Sequence, residues 1–387
     1  SDNERVEVWN GVLQGKFRFV IGVRSSVFLP FDNLGLIIVD EEHDPSYKQN
    51  DPAPRYNARD VAHVMGQQHH AKVLLGSATP SVESYYHALT NKYGFVTLSD
   101  RFGDSKLPDI KFANQVQERK DKTNKGEFTS MLLKETSTAL KTGEQVIIFQ
   151  NRRGYSPIVQ CEDCSWVPKC INCDVSLTYH QFRHAMVCHY CGYREPLPSQ
   201  CPVCSSKRIL TLGYGTEKLE EELKFHFPDA TVMRMDFDTT RTKSGYENII
   251  DSFQSGETDI LVGTQMVTKG LDFDKVTLVG VFDADRMMHF PDFRSYERAF
   301  QLITQVSGRA GRRDKQGRVV IQTYNPRHQL FTYVLNHDVT GFLREQIADR
   351  ERNHYPPFTR LIELTVKHAD KKVANDVAQW LVLEIKN

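Results

Sequence analysis

The chain has 387 residues, of which 40% are hydrophobic and 25% charged, a composition that excludes a disordered or fibrous protein. At about 150 residues per domain, this length predicts two to three domains. Lys and Arg number 49, and so do Asp and Glu, so any nucleic-acid surface must be a local basic patch. Apolar runs stay far below the roughly 18 residues of a membrane span, and the N-terminus lacks a signal core. We therefore expect no membrane contact and no secretion.

Short apolar runs alternate with amphipathic segments along most of the chain. Apolar runs without internal alternation predict strands buried on both faces of a parallel sheet, and the alternation predicts a doubly wound α/β fold. Predicted strands are residues 17–22, 34–39, 73–75, 145–149, 231–235, 260–263, 277–282, 318–323 and 361–366. Predicted helices are residues 59–70, 130–141, 218–226, 246–254, 294–306 and 371–385. The polar residues 101–126 predict a linker or surface excursion.

Two carboxylates follow the predicted strand 34–39. Asp40 and Glu41 lie at its carboxyl end, where α/β sheets bind ligands. Asp40 suits Mg²⁺ held through water, Glu41 suits an attacking water during nucleotide hydrolysis, and His43 could relay the nucleotide state. Ser77 and Thr79, after the strand 73–75, could hydrogen-bond this motif. The alternatives are a solvated acidic loop and a plain helix cap.

Further candidates lie in the second half of the chain. Arg309 and Arg312 are three residues apart, so on a helical turn they share a face. Two guanidinium groups suit the charge that grows on a transferred phosphoryl group, and Gln305 precedes them. A basic helix end favoured by the helix dipole is the alternative. Residues 263–272 offer weaker candidates for nucleotide and sugar-phosphate contacts, namely Thr264, Gln265, Lys269, Gly270 and Asp272.

Eight cysteines form four Cys-x-x-Cys pairs within 44 residues, namely Cys161, Cys164, Cys170, Cys173, Cys188, Cys191, Cys201 and Cys204. Two such pairs bind one tetrahedral zinc, so the block predicts two structural zinc ions. The 14 residues between the second and third pairs suit a ribbon hairpin, so the inner pairs would share one zinc and the outer pairs the other. Pairing of neighbouring pairs is the alternative. Nearby aromatics, namely Trp166, Phe182, Tyr190 and Tyr193, either face partners or pack on these knuckles.

Residues 46–56 interleave aromatic and cationic side chains beside the acidic motif. Aromatic rings stack on bases and Lys or Arg meets phosphates, so this loop is a candidate DNA contact. A Pro-stiffened surface loop is the alternative. The candidate residues are Tyr47, Lys48, Arg55 and Tyr56, with Arg24 and Ser25 as lesser ones.

These motifs resemble those of superfamily 2 helicases and, more narrowly, of the PriA family of bacterial replication-restart helicases. Residues 40–43 resemble motif II, residues 76–79 motif III, residues 263–272 motif V and residues 305–312 motif VI, and the cysteine block is typical of this family. The resemblance implies an ATP-dependent, 3′-to-5′ DNA helicase using ATP and Mg²⁺, with the nested zinc pairing. It also implies branched or single-stranded DNA, primosome proteins and single-stranded DNA-binding protein as partners, in the bacterial cytoplasm at the nucleoid.

The resemblance implies two RecA-like lobes, the first incomplete, with a zinc-ribbon-like insertion in the second and the start of an α+β C-terminal domain. The expected parts are lobe 1 at 1–100, a linker at 101–128, lobe 2 at 129–157 and 211–330, the cysteine module at 158–210, and a connector with the C-terminal start at 331–387.

One feature departs from the family pattern. The chain contains no Gly-x-x-x-x-Gly-Lys-Ser/Thr phosphate-binding loop. We expect that loop and an N-terminal DNA-binding region to precede residue 1, so the chain would be a fragment that hydrolyses ATP poorly. The alternative is a non-catalytic zinc-ribbon scaffold on a RecA-like fold, which the retained Asp40, Glu41, Arg309 and Arg312 disfavour.

Overall fold

The computed structural model of the protein describes residues 2–98, 107–151, 158–173, 175–180, 185–188, 190–212, 216–236, 239–240, 242–268, 273–311, 316–364, 366, 368 and 370–386. The strands of these residues are β1 (Leu36–Val39), β2 (Lys72–Leu75), β3 (Asp109–Asn114), β4 (Gln145–Phe149), β5 (Ile158–Cys161), β6 (Thr178–His180), β7 (Ala185–Val187), β8 (Arg194–Pro196), β9 (Ile209–Leu212), β10 (Val232–Met235), β11 (Ile260–Gly263), β12 (Val276–Val281) and β13 (Arg318–Thr323). Their α-helices are α1 (Asp2–Leu13), α2 (Ala58–Gln68), α3 (Val82–Leu89), α4 (Gln115–Asp121), α5 (Ser130–Lys141), α6 (Thr216–His226), α7 (Lys243–Ser255), α8 (Ala284–Met288), α9 (Ser295–Ser307), α10 (Gln329–Leu335), α11 (Val339–Arg352) and α12 (Lys371–Lys386).

The main sheet, as far as the chain is described, has six parallel strands in the order β10-β11-β4-β12-β13-β3. Alternate residues of β4 enter two different apolar clusters: Ile147 and Phe149 join one, and Val146 and Ile148 join the other. Both faces of the sheet are therefore covered, which is why its central strands are continuous apolar runs. Helix α5 ends before Gly143, whose φ of 68° suits a C′ glycine.

A smaller parallel pair, β1 with β2, carries the acidic motif. Helices α2 and α3 begin at the N-caps Asn57 and Ser81, and α2 packs against both strands. Leu36, Ile38 and Leu74 of these strands remain more than half exposed. The pair therefore lies at a largely open surface in the described part of the molecule.

The cysteine module lies between β4 and α6. It contains an antiparallel sheet with the order β8-β7-β6-β5-β9, counted over its described residues. Its apolar cluster is small and includes Val159, Leu177 and Met186. A module with so little core needs a further source of folding free energy.

Three sequence predictions about elements are wrong. Residues 17–22 form no strand, and Phe19 and Ile21 are largely exposed. The described residues within 361–366 form no strand either. Residues 101–126 are not simply a linker, because they contain α4 and also β3, which pairs with β13. Helix α1 was not predicted. No helix of the described ranges is long and apolar enough to span a bilayer.

Candidate functional site

The acidic motif forms a tight turn at the carboxyl end of β1. The backbone N–H of Glu41 donates to Oδ1 of Asp40 at 3.0 Å, and Glu41 has a φ of 47°, in the left-handed region. Gly76, at the end of β2, accepts a hydrogen bond from the Glu42 N–H at 3.1 Å. These contacts hold two carboxylates at the sheet edge in a conformation that costs free energy for a residue with a Cβ atom.

His43 connects this motif to both other candidate motifs. Its side chain is 4% exposed. Nδ1 lies 2.7 Å from Oγ of Ser77, and Nε2 lies 3.0 Å from Nε2 of Gln305 on α9. Each ring nitrogen of the His43 imidazole therefore has one polar partner. Glu41 Oε2 is 3.5 Å from the same Nδ1. Residues 40–43, Ser77 and Gln305 are thus brought together across the fold.

Thr79 contacts α9 at the same junction, and Arg309 follows that helix. Thr79 is buried, its carbonyl oxygen accepts from Gln301 of α9 at 3.3 Å, and its hydroxyl has no partner among the described residues. Gln305 lies in the last turn of α9, and Arg309 follows the end of that helix. Arg312 lies outside the described residues. The catalytic roles assigned to these residues remain predictions.

Glu42 is an important residue of the motif that sequence reasoning did not single out. It is 3% exposed, and its carboxylate accepts from the N–H and hydroxyl of Ser81, from the hydroxyl of Ser84 and from Arg59. Nothing local in the sequence separates it from its acidic neighbours, because all of these partners are distant in the chain. Glu42 fixes the acidic motif to the start of α3.

Residues 46–56, here called the aromatic loop, fold back on the acidic motif of residues 40–43. The hydroxyl of Tyr47 donates to the carbonyl oxygen of Asp40 at 2.6 Å, and burial together with the charge of Asp40 raises the pKa of Tyr47. Lys48 donates to the carbonyl oxygen of Arg55 at 2.8 Å, and the ring of Tyr56 packs edge-on against Phe28. The loop is therefore ordered by its own contacts and touches the candidate catalytic turn directly.

The remaining candidates for DNA or nucleotide contact are dispersed. Arg24 donates to the carbonyl oxygen of Ser46 at 3.1 Å, and Ser25 is exposed beside it. Thr264 is buried at the end of β11, and Gln265 begins the 3₁₀ turn that follows. Lys269, Gly270 and Asp272 lie outside the described residues. The assignment of these residues stays a prediction.

The eight cysteines form two clusters with the nested grouping. Each cluster holds four Sγ atoms within 4.8 Å of one another: Cys161, Cys164, Cys201 and Cys204 in the outer site, and Cys170, Cys173, Cys188 and Cys191 in the inner site. Pairing of neighbouring pairs is therefore wrong. Tetrahedral zinc with Zn–S bonds of about 2.3 Å sets sulfurs about 3.8 Å apart. The Sγ–Sγ separations of 3.4 to 3.6 Å between Cys161 and Cys204, Cys164 and Cys201, and Cys170 and Cys191 lie near that value.

The surroundings of the inner site act on its thiols in opposite directions, because burial raises the pKa values of Cys170 and Cys173. The backbone N–H of Tyr193 and the side-chain amide of Asn172 lower the pKa of Cys191 to about 6. Tyr190 lies against Asp292 and Phe293, and Tyr193 packs against the module's apolar cluster. Tyr193 therefore fits the packing alternative, whereas Tyr190 is 42% exposed, and Phe182 lies outside the described residues.

Two protein-family models match the chain. Residues 170–196 match the Cys-rich region domain of PriA DNA helicase, and residues 201–314 match the helicase conserved C-terminal domain. The lobe around the main sheet is therefore a RecA-like helicase fold with a zinc-ribbon insertion, which confirms the predicted α/β fold class.

Curated relatives match over nearly the whole chain. Replication restart protein PriA of Bacillus subtilis (strain 168) is 45% identical over 386 residues, which is 100% of this chain and 48% of that protein. The protein of the same name from Haemophilus influenzae is 42% identical over 372 residues, 96% of this chain and 50% of its own length. A solved structure of RecG bound to a three-way DNA junction matches with a TM-score of 0.49 and 14% identity, covering 99% of this chain and 38% of that one. The chain thus spans about half the length of the curated relatives it matches.

Proposed function

Because the chain belongs to the PriA family, we propose that it is part of an ATP-dependent DNA helicase that acts in replication restart. The observation that carries this proposal is the contact of His43 with Ser77 on one side and Gln305 on the other. A motor that converts hydrolysis into movement needs such a link between its acidic motif and the opposite lobe. A passive scaffold has no use for it.

The roles of the site residues follow from this assignment. The donor set at the end of β1 is carboxylate, which suits Mg²⁺ with retained waters. Asp40 would hold the hydrated ion that accompanies ATP, and Glu41 would orient and deprotonate the attacking water. Arg309 and Arg312 would stabilise charge on the transferred phosphoryl group. His43 would report the state of this site to Ser77 and to α9, while Thr79, Gly270, Asp272 and Gln305 would line the nucleotide.

The aromatic loop would couple DNA to hydrolysis. Lys48 and Arg55 are exposed and cationic, and the Tyr47 hydroxyl contacts the backbone of Asp40. A DNA strand bound to this loop would therefore move the turn that carries Asp40 and Glu41. Arg24, Ser25, Tyr56, Thr264, Gln265 and Lys269 would contribute further contacts to single-stranded or branched DNA.

The zinc module would add a surface for protein partners. Primosome proteins and single-stranded DNA-binding protein are the partners that this assignment suggests, in the cytoplasm and at the nucleoid. The 387-residue chain alone would hydrolyse ATP poorly, since it lacks the Gly-x-x-x-x-Gly-Lys-Ser/Thr loop.

The test is DNA-stimulated ATP hydrolysis by the complete product of the gene that encodes this chain. Forked DNA is expected to stimulate hydrolysis, and Glu41→Gln should lower the rate about 100-fold or more, as expected for loss of a general base. Asp60→Asn, an exposed acid on α2, is the matched control and should leave the rate unchanged. DNA binding without any DNA-stimulated hydrolysis would favour the scaffold. Rapid DNA-stimulated hydrolysis by residues 1–387 alone would contradict the inferred need for a further phosphate-binding loop.

Two substitutions at Tyr47 separate stacking from signalling. Tyr47→Phe keeps the ring but removes the hydrogen bond to Asp40, whereas Tyr47→Ala removes both. If the hydroxyl carries the signal, Tyr47→Phe should bind DNA normally and lose most of its DNA stimulation. Full stimulation in Tyr47→Phe together with weak DNA binding in Tyr47→Ala would assign the residue to stacking alone.

A further inference from the structure

An aromatic contact joins the inner cysteine site to the segment that follows α11. Tyr355 is buried, and its hydroxyl donates to the carbonyl oxygen of the ligand residue Cys173 at 2.8 Å. Its ring stacks on Phe293, with centroids 4.5 Å apart and planes 8° apart. Tyr190 lies beside both rings and bonds Asp292 at 3.3 Å. A displacement of the inner site would therefore displace Phe293.

Phe293 also contacts a cluster of charges between the main lobe and α3. The guanidinium carbons of Arg294 and Arg350 lie 4.1 and 5.1 Å from its ring centroid, within the range of a cation–π contact. Both arginines pair with Glu83 of α3, at 2.6 and 3.1 Å. Burial alone would raise the pKa of Glu83, but these two cations outweigh it and lower the pKa to about 2. Glu83 is therefore ionised and held from two sides.

Arg350 and Glu297 complete the connection to the first turn of α3. Arg350 is only 1% exposed although its guanidinium group is charged. This group donates a hydrogen bond to the carboxylate of Glu297 on α9. The other carboxylate oxygen of Glu297 accepts from the N–H of Val82 at 2.8 Å. Because charges this deeply buried are costly unless all their partners stay in place, the cluster tolerates little change in how α3 lies on α9 and α11.

Helix α3 leads back to the acidic motif. Its N-cap, Ser81, donates its N–H and its hydroxyl to Glu42 at 2.6 and 3.0 Å. Contacts therefore run without a gap from Cys173 through Tyr355, Phe293, Arg350 and Glu83 to the motif that carries Asp40.

We infer that metal binding at the inner cysteine site and the packing of α3 against α9 and α11 are energetically coupled through Tyr355, Phe293 and the Arg350–Glu83 pair. Zinc at the inner site then acts beyond its own hairpin, because it fixes the position of α3 and with it the acidic motif. Coupling is reciprocal, so a looser α3 must also weaken metal binding at the inner site. The inference concerns the folded chain and holds whether or not the chain hydrolyses ATP.

The test compares one exposed ligand from each site by hydrogen exchange in the zinc-loaded 387-residue chain. Cys191→Ser perturbs the inner site, and Cys204→Ser is its matched control in the outer site. We expect Cys191→Ser to accelerate exchange of the amides of α3 about tenfold, within the usual range of coupling between sites. Cys204→Ser should leave α3 unchanged, and α5 should be unchanged in both. Equal effects on α3, or no effect of Cys191→Ser, would overturn the inference.

The effect of α3 on the inner cysteine site is tested by the rate at which zinc is released to a colorimetric chelator. Glu83→Gln should accelerate release of one of the two zinc ions about tenfold and leave the other unaffected. Arg352→Gln, on the exposed side of the same helix as Arg350, is the control and should change neither rate. If Glu83→Gln does not fold, Tyr355→Phe removes only the hydrogen bond to Cys173 and should accelerate the same phase more modestly. Unchanged release in the variant that folds would refute the coupling.

Discussion

Removal of the Glu42 carboxylate should loosen the acidic motif more than loss of any neighbouring acid. Four donors point at this side chain: the Ser81 N–H at 2.6 Å, the hydroxyls of Ser81 and Ser84 at 3.0 and 2.8 Å, and Arg59 at 2.9 Å. In Glu42→Ala the guanidinium of Arg59, 18% exposed, loses its buried partner, which costs about 3 to 5 kcal/mol. Each neutral donor left without a partner adds about 1 kcal/mol unless water reaches it. We expect a total loss of about 4 kcal/mol or more.

Hydrogen exchange of α2 and α3 is the suitable assay, because it reports the local opening free energy of this part of the chain. Asp60→Ala is the control: Asp60 also pairs with Arg59, at 3.5 Å, but is 67% exposed, so its loss should cost no more than about 0.5 kcal/mol. Glu42→Gln keeps the shape and should fall between the two. A cost below about 1 kcal/mol for Glu42→Ala would show that Glu42 does not fix the motif, and would refute the reasoning.

Three further predictions address charge, metal and packing. The pKa of Glu83 is lowered from 4.5 to about 2, so the stabilisation by its carboxylate is complete above the unfolded pKa and is lost as the pH falls towards the folded pKa. Between pH 6 and pH 3, the free energy of unfolding in urea should therefore fall about 2 kcal/mol further in the parent chain than in Glu83→Gln. Any loss of zinc at low pH affects both proteins and cancels in this comparison. An equal loss in both proteins would contradict the pairing with Arg294 and Arg350. Metal analysis should give two zinc ions per chain with a chelator unfolding the cysteine module first, and less than one zinc with intact thiols would refute the assignment. A Cβ on Gly317 would lie 2.2 Å from the carbonyl carbon of Ala310, so Gly317→Ala should cost about 2 kcal/mol or more in thermal unfolding, whereas Gly35→Ala, with open space around it, should cost little.

The central strands of the main sheet were predictable because they are buried on both faces. Residues 145–149, 260–263 and 318–323 are apolar runs bounded by polar segments, and each became a strand at or close to the predicted limits. Strand β3 was missed for the opposite reason. It lies at the sheet edge and alternates polar and apolar residues, so its apolar content is low although it pairs fully with β13.

The predicted strand at residues 17–22 shows the limit of apolar runs as a signal. An apolar run indicates how much apolar surface a segment can bury. It does not indicate whether a neighbouring strand is available to pair with that segment. Phe19 is 76% exposed and Ile21 is 85% exposed, and no described strand pairs with them. The prediction for residues 361–366 failed in the same way over the described part of that range, where Ile362 is 84% exposed.

The candidate site also contains residues that local sequence patterns could predict and residues that they could not. A local motif predicted Asp40, Glu41 and His43 as candidates, and four Cys-x-x-Cys pairs predicted the two metal clusters that the structure contains, because each of these signals occupies only a few consecutive residues. The buried cluster of Glu83, Glu297 and Arg350 gave no signal. Its members lie on three helices far apart in sequence, and each one alone resembles an ordinary charged residue of a helix surface.

The contact between the acidic motif and α9 is tested most directly by a double-mutant cycle with His43→Ala and Gln305→Ala. Opening free energies of α3 and α9 would be measured by hydrogen exchange in the parent chain, the two single variants and the double variant. Since the two side chains meet at 3.0 Å, we predict a coupling free energy of about 1 kcal/mol. Costs that add to within about 0.3 kcal/mol would mean that the two residues do not interact, and would contradict the link between the lobes on which the proposed function depends.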